Sequence, residues 1–105
     1  MKPDKVLSML GIATKANGVV SGEFMTEQAI KSGEACLVIV AEDASDNTKK
    51  MFRNSCEFYQ VKLVCYGTKE SLGHSIGKEF RASLAITNEG LADAVCKKLA
   101  QITTE

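Results

Sequence analysis

The sequence has no tryptophan, a single proline, a single histidine and no cysteine pair at metal-binding spacing. Each shortage removes a class of function. Cys36, Cys56, Cys65 and Cys96 lie 20, 9 and 31 positions apart, so no CxxC pair can start a four-ligand zinc site. His74, the sole histidine, cannot supply a histidine-based metal centre. No apolar stretch approaches the roughly 20 residues of a membrane span. The opening Met1-Lys2-Pro3-Asp4-Lys5 leads into an amphipathic pattern, not into an apolar signal core. Excess charge of either sign is also missing. Thirteen Lys and Arg balance thirteen Asp and Glu, so any grip on nucleic acid must come from a local patch. Neither the phosphate-loop signature nor the dinucleotide glycine fingerprint occurs.

What is present is the composition of an ordinary globular domain, 105 residues long, 45% hydrophobic and 25% charged. That length makes one domain, residues 1–105. Three cysteines fall in apolar stretches, Cys36-Leu37-Val38-Ile39-Val40, Val64-Cys65-Tyr66 and Ala94-Val95-Cys96, and read as buried, reduced thiols. Together with the missing export signal, this predicts a soluble protein of the cytoplasm with no membrane association.

The apolar period then alternates along the chain. Val6, Leu7, Met9, Leu10, Ala13 and Ala16 recur at helical spacing, with Pro3 at the helix start and Asn17-Gly18 as the stop. Val19-Val20 is a short extended piece. Ser21 can cap a helix from Gly22 to Ser32, ended by Gly33. The unbroken apolar run from Cys36 to Ala41 reads as a strand covered on both faces. Ser45 or Asp46 caps a helix reaching Tyr59, with Phe52, Cys56 and Tyr59 on its apolar face. Val61 to Tyr66 is a strand, Glu70 to Ile76 a short helix, Ala82 to Thr87 a strand, and Asn88 caps a last helix to about Ile102. Helices alternating with strands predict an α/β fold, a three-layer α/β/α sandwich.

Few residues favour catalysis. Glu42-Asp43 ends the central strand, where open α/β sheets place ligands, and two acids there could hold a metal; a solvated loop entering a helix cap is the plainer reading. His74 and Ser75 are neighbours on one helix and diverge by about 100° around its axis, so they cannot form a nucleophile–base pair. Gly73-x-x-x-Gly77 reads as tight helix–loop packing.

The second helix says more. About 100° per residue puts Met25, Thr26, Ala29 and Ile30 on a core face, and Phe24 with Glu27, Gln28 and Lys31 on the polar face. An aromatic in the first turn, beside unpaired amides at the positive end of the helix dipole, suits an unpaired base with a phosphate nearby. The plainer reading is that Phe24 covers a neighbouring loop. Lys49, Lys50 and Arg53 form a basic cluster on the third helix, for which solvated helix charge is the plainer reading. In Lys78-Glu79-Phe80-Arg81, cations flank an aromatic, a mixture that single-stranded or kinked RNA prefers.

Several stretches, in order and at these spacings, carry a family likeness. They are Leu10-Gly11-Ile12-Ala13 with Gly18, Val20-Ser21-Gly22-Glu23, Ala29-Ile30-Lys31-Ser32-Gly33, and Leu37-Val38-Ile39-Val40-Ala41-Glu42-Asp43-Ala44-Ser45. Asn47-Thr48-Lys49-Lys50, Thr68-Lys69-Glu70-Ser71-Leu72-Gly73 and Gly77-Lys78-Glu79 follow. Over about Asp4 to Ala100 the chain resembles the kink-turn-binding ribosomal protein family, that of large-subunit proteins seven-Ae and thirty-e, and within it the bacterial YlxQ-like branch. The resemblance implies an α/β/α sandwich with a mixed four-stranded sheet and an RNA-recognition module, not an enzyme. It implies contact with bent RNA through Gly22 to Gln28 and through Lys78 to Ala82.

The chain departs from the family's reader motif, Gly-Thr-Asn-Glu-x-x-Lys. Phe24, Met25 and Gln28 stand where Asn, Glu and Lys are expected, and a phenyl ring cannot hydrogen-bond base edges. The expected RNA-binding residues are thus Gly22, Glu23, Phe24, Met25, Gln28, Lys31, Lys69, Lys78, Glu79, Phe80 and Arg81. The expected protein is a non-catalytic, monomeric, ribosome-associated RNA binder that uses no cofactor or metal. The rival reading is a protein-interaction module of the translation or transcription machinery, with Phe24 and Phe80 as its anchors.

Overall fold

Hydrophobic period sets the element order, and the computed structural model, which describes residues 4–103, follows it. Five helices and four strands alternate: α1 (Lys5–Lys15), β1 (Val19–Ser21), α2 (Glu23–Ser32), β2 (Leu37–Val40), α3 (Asp46–Tyr59), β3 (Leu63–Cys65), α4 (Lys69–Ser75), β4 (Ser83–Ile86) and α5 (Glu89–Thr103). The sheet order is β1-β4-β2-β3, with β2 parallel to β3 and β4 antiparallel to β1 and β2. It is the expected mixed four-stranded sheet. Helices α2 and α3 pack together on the sheet, while α1 packs on α4 and α5 as the other helical group.

Central β2 and β4 are buried along their whole length, as an unbroken apolar run requires. Leu37, Ile39, Leu84 and Ile86 fill the middle of the core, with Phe52 of α3, Leu10 of α1, Leu72 of α4 and Ile30 of α2 packed around them. Fully burying one such side chain is worth roughly 1.5–3 kcal/mol, so the sheet centre is the main source of stability.

The caps explain where the helices begin. Ser45 caps α3 through the Thr48 N–H, Thr68 caps α4 through the Ser71 N–H, and Asn88 accepts from the Leu91 N–H at the start of α5. Asp4 caps α1 through the Leu7 N–H at 2.9 Å, and Pro3, expected at the helix start, lies outside the described residues. At the end of α1 it is Asn17, at φ 59°, that turns left-handed, whereas Gly18 does not. Gly33 ends α2 in the left-handed conformation, as expected.

Four expectations need correction. Ser21 does not cap α2 but lies in β1, and Gly22 is the N-cap, with no side-chain cap bond. Met25 is 49% exposed, because it lies at the margin of a core face filled by Thr26, Ala29 and Ile30. Tyr59 is exposed at the last turn of α3, past the point where the sheet covers the helix, leaving Phe52 and Cys56 as its buried positions. Cys36 and Cys65 are exposed and Cys96 half-buried, while Cys56 is the buried thiol, and all four are free. Cys36 precedes the buried part of β2, and Cys65 ends the edge strand β3, so an apolar neighbourhood in sequence did not bring cover in space. Burial pushes the Cys56 thiol up to about 11.

Two packing details give tests. The Tyr66 hydroxyl donates to Asp4 Oδ2 at 2.5 Å, tying the end of the β3 strand to the start of α1. Burial, with the bond to Asp4 and its charge, pushes the phenol up from 10.0 to about 12. The folded state keeps this proton after the unfolded chain has lost it. The contribution is therefore complete below pH 10 and is lost as pH rises from 10 towards about 12. Tyr66→Phe should lower unfolding free energy by about 1.5 kcal/mol in urea denaturation at pH 7. It should also flatten the decline in stability above pH 10.

The second detail is Gly73 in α4. A Cβ there would collide with the Glu79 carbonyl and sit 3.0 Å from the Phe80 Cα, both backbone groups that cannot swing aside. Gly73→Ala should therefore cost about 1–3 kcal/mol, measured in the same urea series, by forcing α4 away from the loop before β4.

Candidate nucleic-acid interface

Strand directions decide which loops meet. Ser21 pairs with Leu84, and Val40 pairs with both Ser83 and Cys65, so the ends of β1, β2 and β3 share one edge of the sheet with the start of β4. That edge carries the N-termini of α2, α3 and α4 and the loop from Gly77 to Ala82.

A chain of bonds fixes these pieces together. The Asp43 carboxylate accepts the Lys69 N–H at 2.8 Å, and the Lys69 carbonyl accepts the Arg81 N–H at 3.0 Å. The Arg81 guanidinium then donates to Ser21 Oγ at 3.1 Å and to its neighbour's carbonyl, that of Phe80, at 2.7 Å. The Gly22 N–H donates to the Ser83 carbonyl at 3.0 Å, and the buried Ser83 hydroxyl lies 3.5 Å from Thr26 Oγ1 on the core side of α2. The start of α2 is thereby seated on the start of β4. Lys78 closes the other side, donating its N–H to the Gly73 carbonyl at 2.8 Å.

Gly22 has φ +91°, a conformation that L side chains rarely adopt. Its own N–H is taken by the sheet, so it offers no amide to a ligand. The amides of Glu23, Phe24 and Met25 are the open ones. They have no carbonyl four residues back within the helix, and no side chain caps them.

Phe24 is 71% exposed and Phe80 is 61% exposed, both on this edge. Glu23, Lys69, Lys78 and Glu79 are exposed beside them, and Arg81 is half-buried by its bonds. Phe24, Glu27, Gln28 and Lys31 share a hollow of about 450 Å³ with Glu23 and with Met51 of α3. The Lys31 ammonium is 2.6 Å from the Glu27 carboxylate, whose hydrogen bond and charge hold its pKa above the usual lysine value. Lys31 is therefore a paired charge, not a free cation.

Glu42 and Asp43 follow β2 and are both exposed. Asp43 clasps the start of α4, the Glu42 N–H donates to the Gly67 carbonyl, and no ligand cluster for a metal forms among the described residues. His74 is exposed, and no described helix is long and apolar enough to cross a membrane. Sequence reasoning missed Ser21 and Asp43, whose roles join residues 60 and 26 positions apart. Nothing in their local context signals those partners.

Known proteins share the sequence and the architecture. The chain is 40% identical over 91 residues to "RNA-binding protein YlxQ" of Bacillus subtilis (strain 168), covering 87% of this chain and 91% of that protein. It is 33% identical over 89 residues to "Large ribosomal subunit protein eL30" of Methanoregula boonei, covering 82% and 88%. Among solved structures, a protein of unknown function from Bacillus halodurans C superposes with TM-score 0.89 at 31% identity, covering 93% of this chain and 99% of that one. The Giardia lamblia 15.5kD RNA binding protein shares the fold at TM-score 0.77 and 20% identity, covering 99% and 92%. With residues 4–96 matching its model, the chain belongs to the ribosomal protein L7Ae/L30e/S12e/Gadd45 family, on the bacterial YlxQ-like side of it.

Proposed function

We propose that this protein is a ribosome-associated, non-catalytic RNA binder of the cytoplasm, acting as a monomer on a bent, kink-turn-like element. The observation that carries the proposal is an exposed Phe24 on the uncapped start of α2, braced through Ser21 and Arg81 to the loop bearing Lys78 and Phe80. The RNA-binding YlxQ relatives support the same reading.

The open amides of Glu23, Phe24 and Met25 receive a phosphate at the positive end of the helix dipole. Phe24 stacks on an unpaired base, where the familiar reader would hydrogen-bond instead. Gln28, one turn on, supplies the amide that can reach a base edge. Lys69, Lys78 and Arg81 neutralise backbone charge, and Arg81 retains donors because two of its five N–H groups are engaged within the protein. Glu23 and Glu79 cannot meet phosphates, so their use here is to accept from base amino groups, which orients the strand.

A second reading rests on the exposed rings of Phe24 and Phe80, which also suit a protein partner on a chain of zero net charge. The two part on nuclease treatment: a protein partner stays bound to the tagged chain, whereas an RNA-dependent assembly is lost.

In gel shifts on structured ribosomal RNA fragments, Phe24→Ala should lower affinity by about 1–3 kcal/mol, the worth of one base–aromatic stack. Lys78→Ala should weaken binding more evenly across sequences and reduce the salt slope by about one. If both variants keep wild-type affinity and slope, the surface is wrong.

A further inference from the structure

The exposed face of α3 is the surface that the proposed interface leaves unused. Its 14 residues span about 21 Å. Only Phe52 and Cys56 are buried, so most of the helix faces outwards. At four-residue spacing, one outward row reads Lys50, Asn54, Phe58, and the row beside it reads Lys49, Arg53, Glu57. Lys49, Lys50 and Arg53 form no ion pair among the described residues, although Glu57 lies one turn from Arg53. The helix's other acid, Asp46, sits in its first turn. Three cations thus fall within five positions of a helix whose acids are Asp46 and Glu57.

The far end of the rows is aromatic. Phe58 is 79% exposed, the most exposed large apolar side chain described, and it meets Tyr59 edge to face with centroids 4.9 Å apart. Neither ring is required by the core. A pair of exposed rings beyond a run of cations repeats the chemistry of the first interface in a second place.

The two surfaces are also continuous. Strands β1 and β2 both run antiparallel to β4, so α2 and α3, each following one of them, start at the same edge of the sheet. Met51 of α3 lines the same hollow as Phe24. At about 100° per residue, Lys50 and Phe58 lie on the outer face of α3, while Lys49 and Arg53, two positions from Met51, lie on its far flank. A strand leaving Phe24 over Met51 therefore crosses Lys50 and Phe58 first and reaches Arg53 beyond them. From Lys50 to Phe58 is about 12 Å along the axis, at 1.5 Å per residue.

We propose that the outer face of α3, from Lys49, Lys50 and Arg53 to Phe58 and Tyr59, binds a single-stranded RNA segment that continues from the element held at the start of α2. The inference rests on the RNA reading above and adds a second, separable binding track to it. The cations follow the phosphates, and Phe58 stacks on a base, a sequence-tolerant combination suited to flanking RNA. Glu57 beside the rings disfavours a phosphate there, so the contact at Phe58 is with a base.

The test uses a kink-turn hairpin, either trimmed or carrying an oligouridine tail of about ten nucleotides on either end, within the ~4–16 that one module covers. Fluorescence polarisation is followed over a salt series for the full-length protein. Wild type should bind the tailed RNA more tightly and with a steeper slope than the trimmed one. The double variant Lys50→Ala with Arg53→Ala should reduce the slope on tailed RNA by about 1.4, two contacts at about 0.7 each for single strands. Phe58→Ala should weaken tailed binding by about tenfold, within the range for one lost stack. Both variants should bind trimmed RNA as wild type does, which also shows that they fold.

If the tail adds nothing, or adds equally to wild type and to both variants, the track is overturned and the cationic face is left to an acidic protein segment. In that case Phe24-dependent binding of trimmed RNA would leave the first reading standing. Failure of wild type to bind either RNA would remove both.

Discussion

The edge that carries the candidate interface depends on the close approach of α4 to the loop that precedes β4. Gly73 lets the Glu79 carbonyl rest where a side chain would otherwise be. That approach brings Arg81 within reach of the Lys69 carbonyl by its amide and of Ser21 by its guanidinium. Three loops from distant parts of the chain are thereby held by backbone bonds, by the short Asp43 side chain and by the Arg81 guanidinium. A rigid edge matters because an exposed ring binds usefully only if its position is already set, so that little ordering cost falls on binding. Of the anchoring residues Ser21 and Arg81 are half-buried and Asp43 and Lys69 exposed, while the Phe24, Phe80 and Lys78 side chains are left outward.

Much of this fold can be read from the sequence because hydrophobic period and cap chemistry are local. The run Leu37 to Val40 announces a central strand since both faces must be covered, and it is buried throughout. Ser45 and Asn88 announce helix starts since a short oxygen beside free amides has one obvious use. Ser21 misleads for the same reason. It has the chemistry of a cap, but Arg81 takes its hydroxyl, and the strand pairing of Ser21 with Leu84 holds its backbone extended. The cysteines mislead because apolar sequence neighbours show that a segment is near the core and not which way each side chain points. Cys65 on an edge strand is the plainest case.

The exposure of Phe24 was legible, since the wheel of α2 puts it among Glu27, Gln28 and Lys31. Met25 beside it was not, because one residue at the margin of a helical face can fall either way with the packing of its neighbours. The bracing by Asp43 and Ser21 was invisible for a stronger reason. It is made by partners dozens of residues apart, and only the strand order β1-β4-β2-β3 puts their loops on one edge. Pairing of Lys31 with Glu27 is a four-residue helical contact that could have been read, and it subtracts a cation from the face that the sequence credits with one.

A zero formal charge does not spread evenly over such a molecule. Several acids are committed within the fold: Asp4 holds the start of α1 and Tyr66, Asp43 holds the start of α4, and Glu27 neutralises Lys31. An acid engaged in short bonds inside the protein still contributes to the long-range potential. However, salt at physiological strength screens that potential over about 8 Å. What a phosphate senses on arrival is the nearest few groups, and on α3 those are Lys49, Lys50 and Arg53. Committing acids to structure while leaving cations unpaired lets a neutral chain present positive surface without the non-specific attraction that a large net charge would bring. In the proposed interface, selectivity then falls to the rings, which would bind only where a base is free to leave its stack.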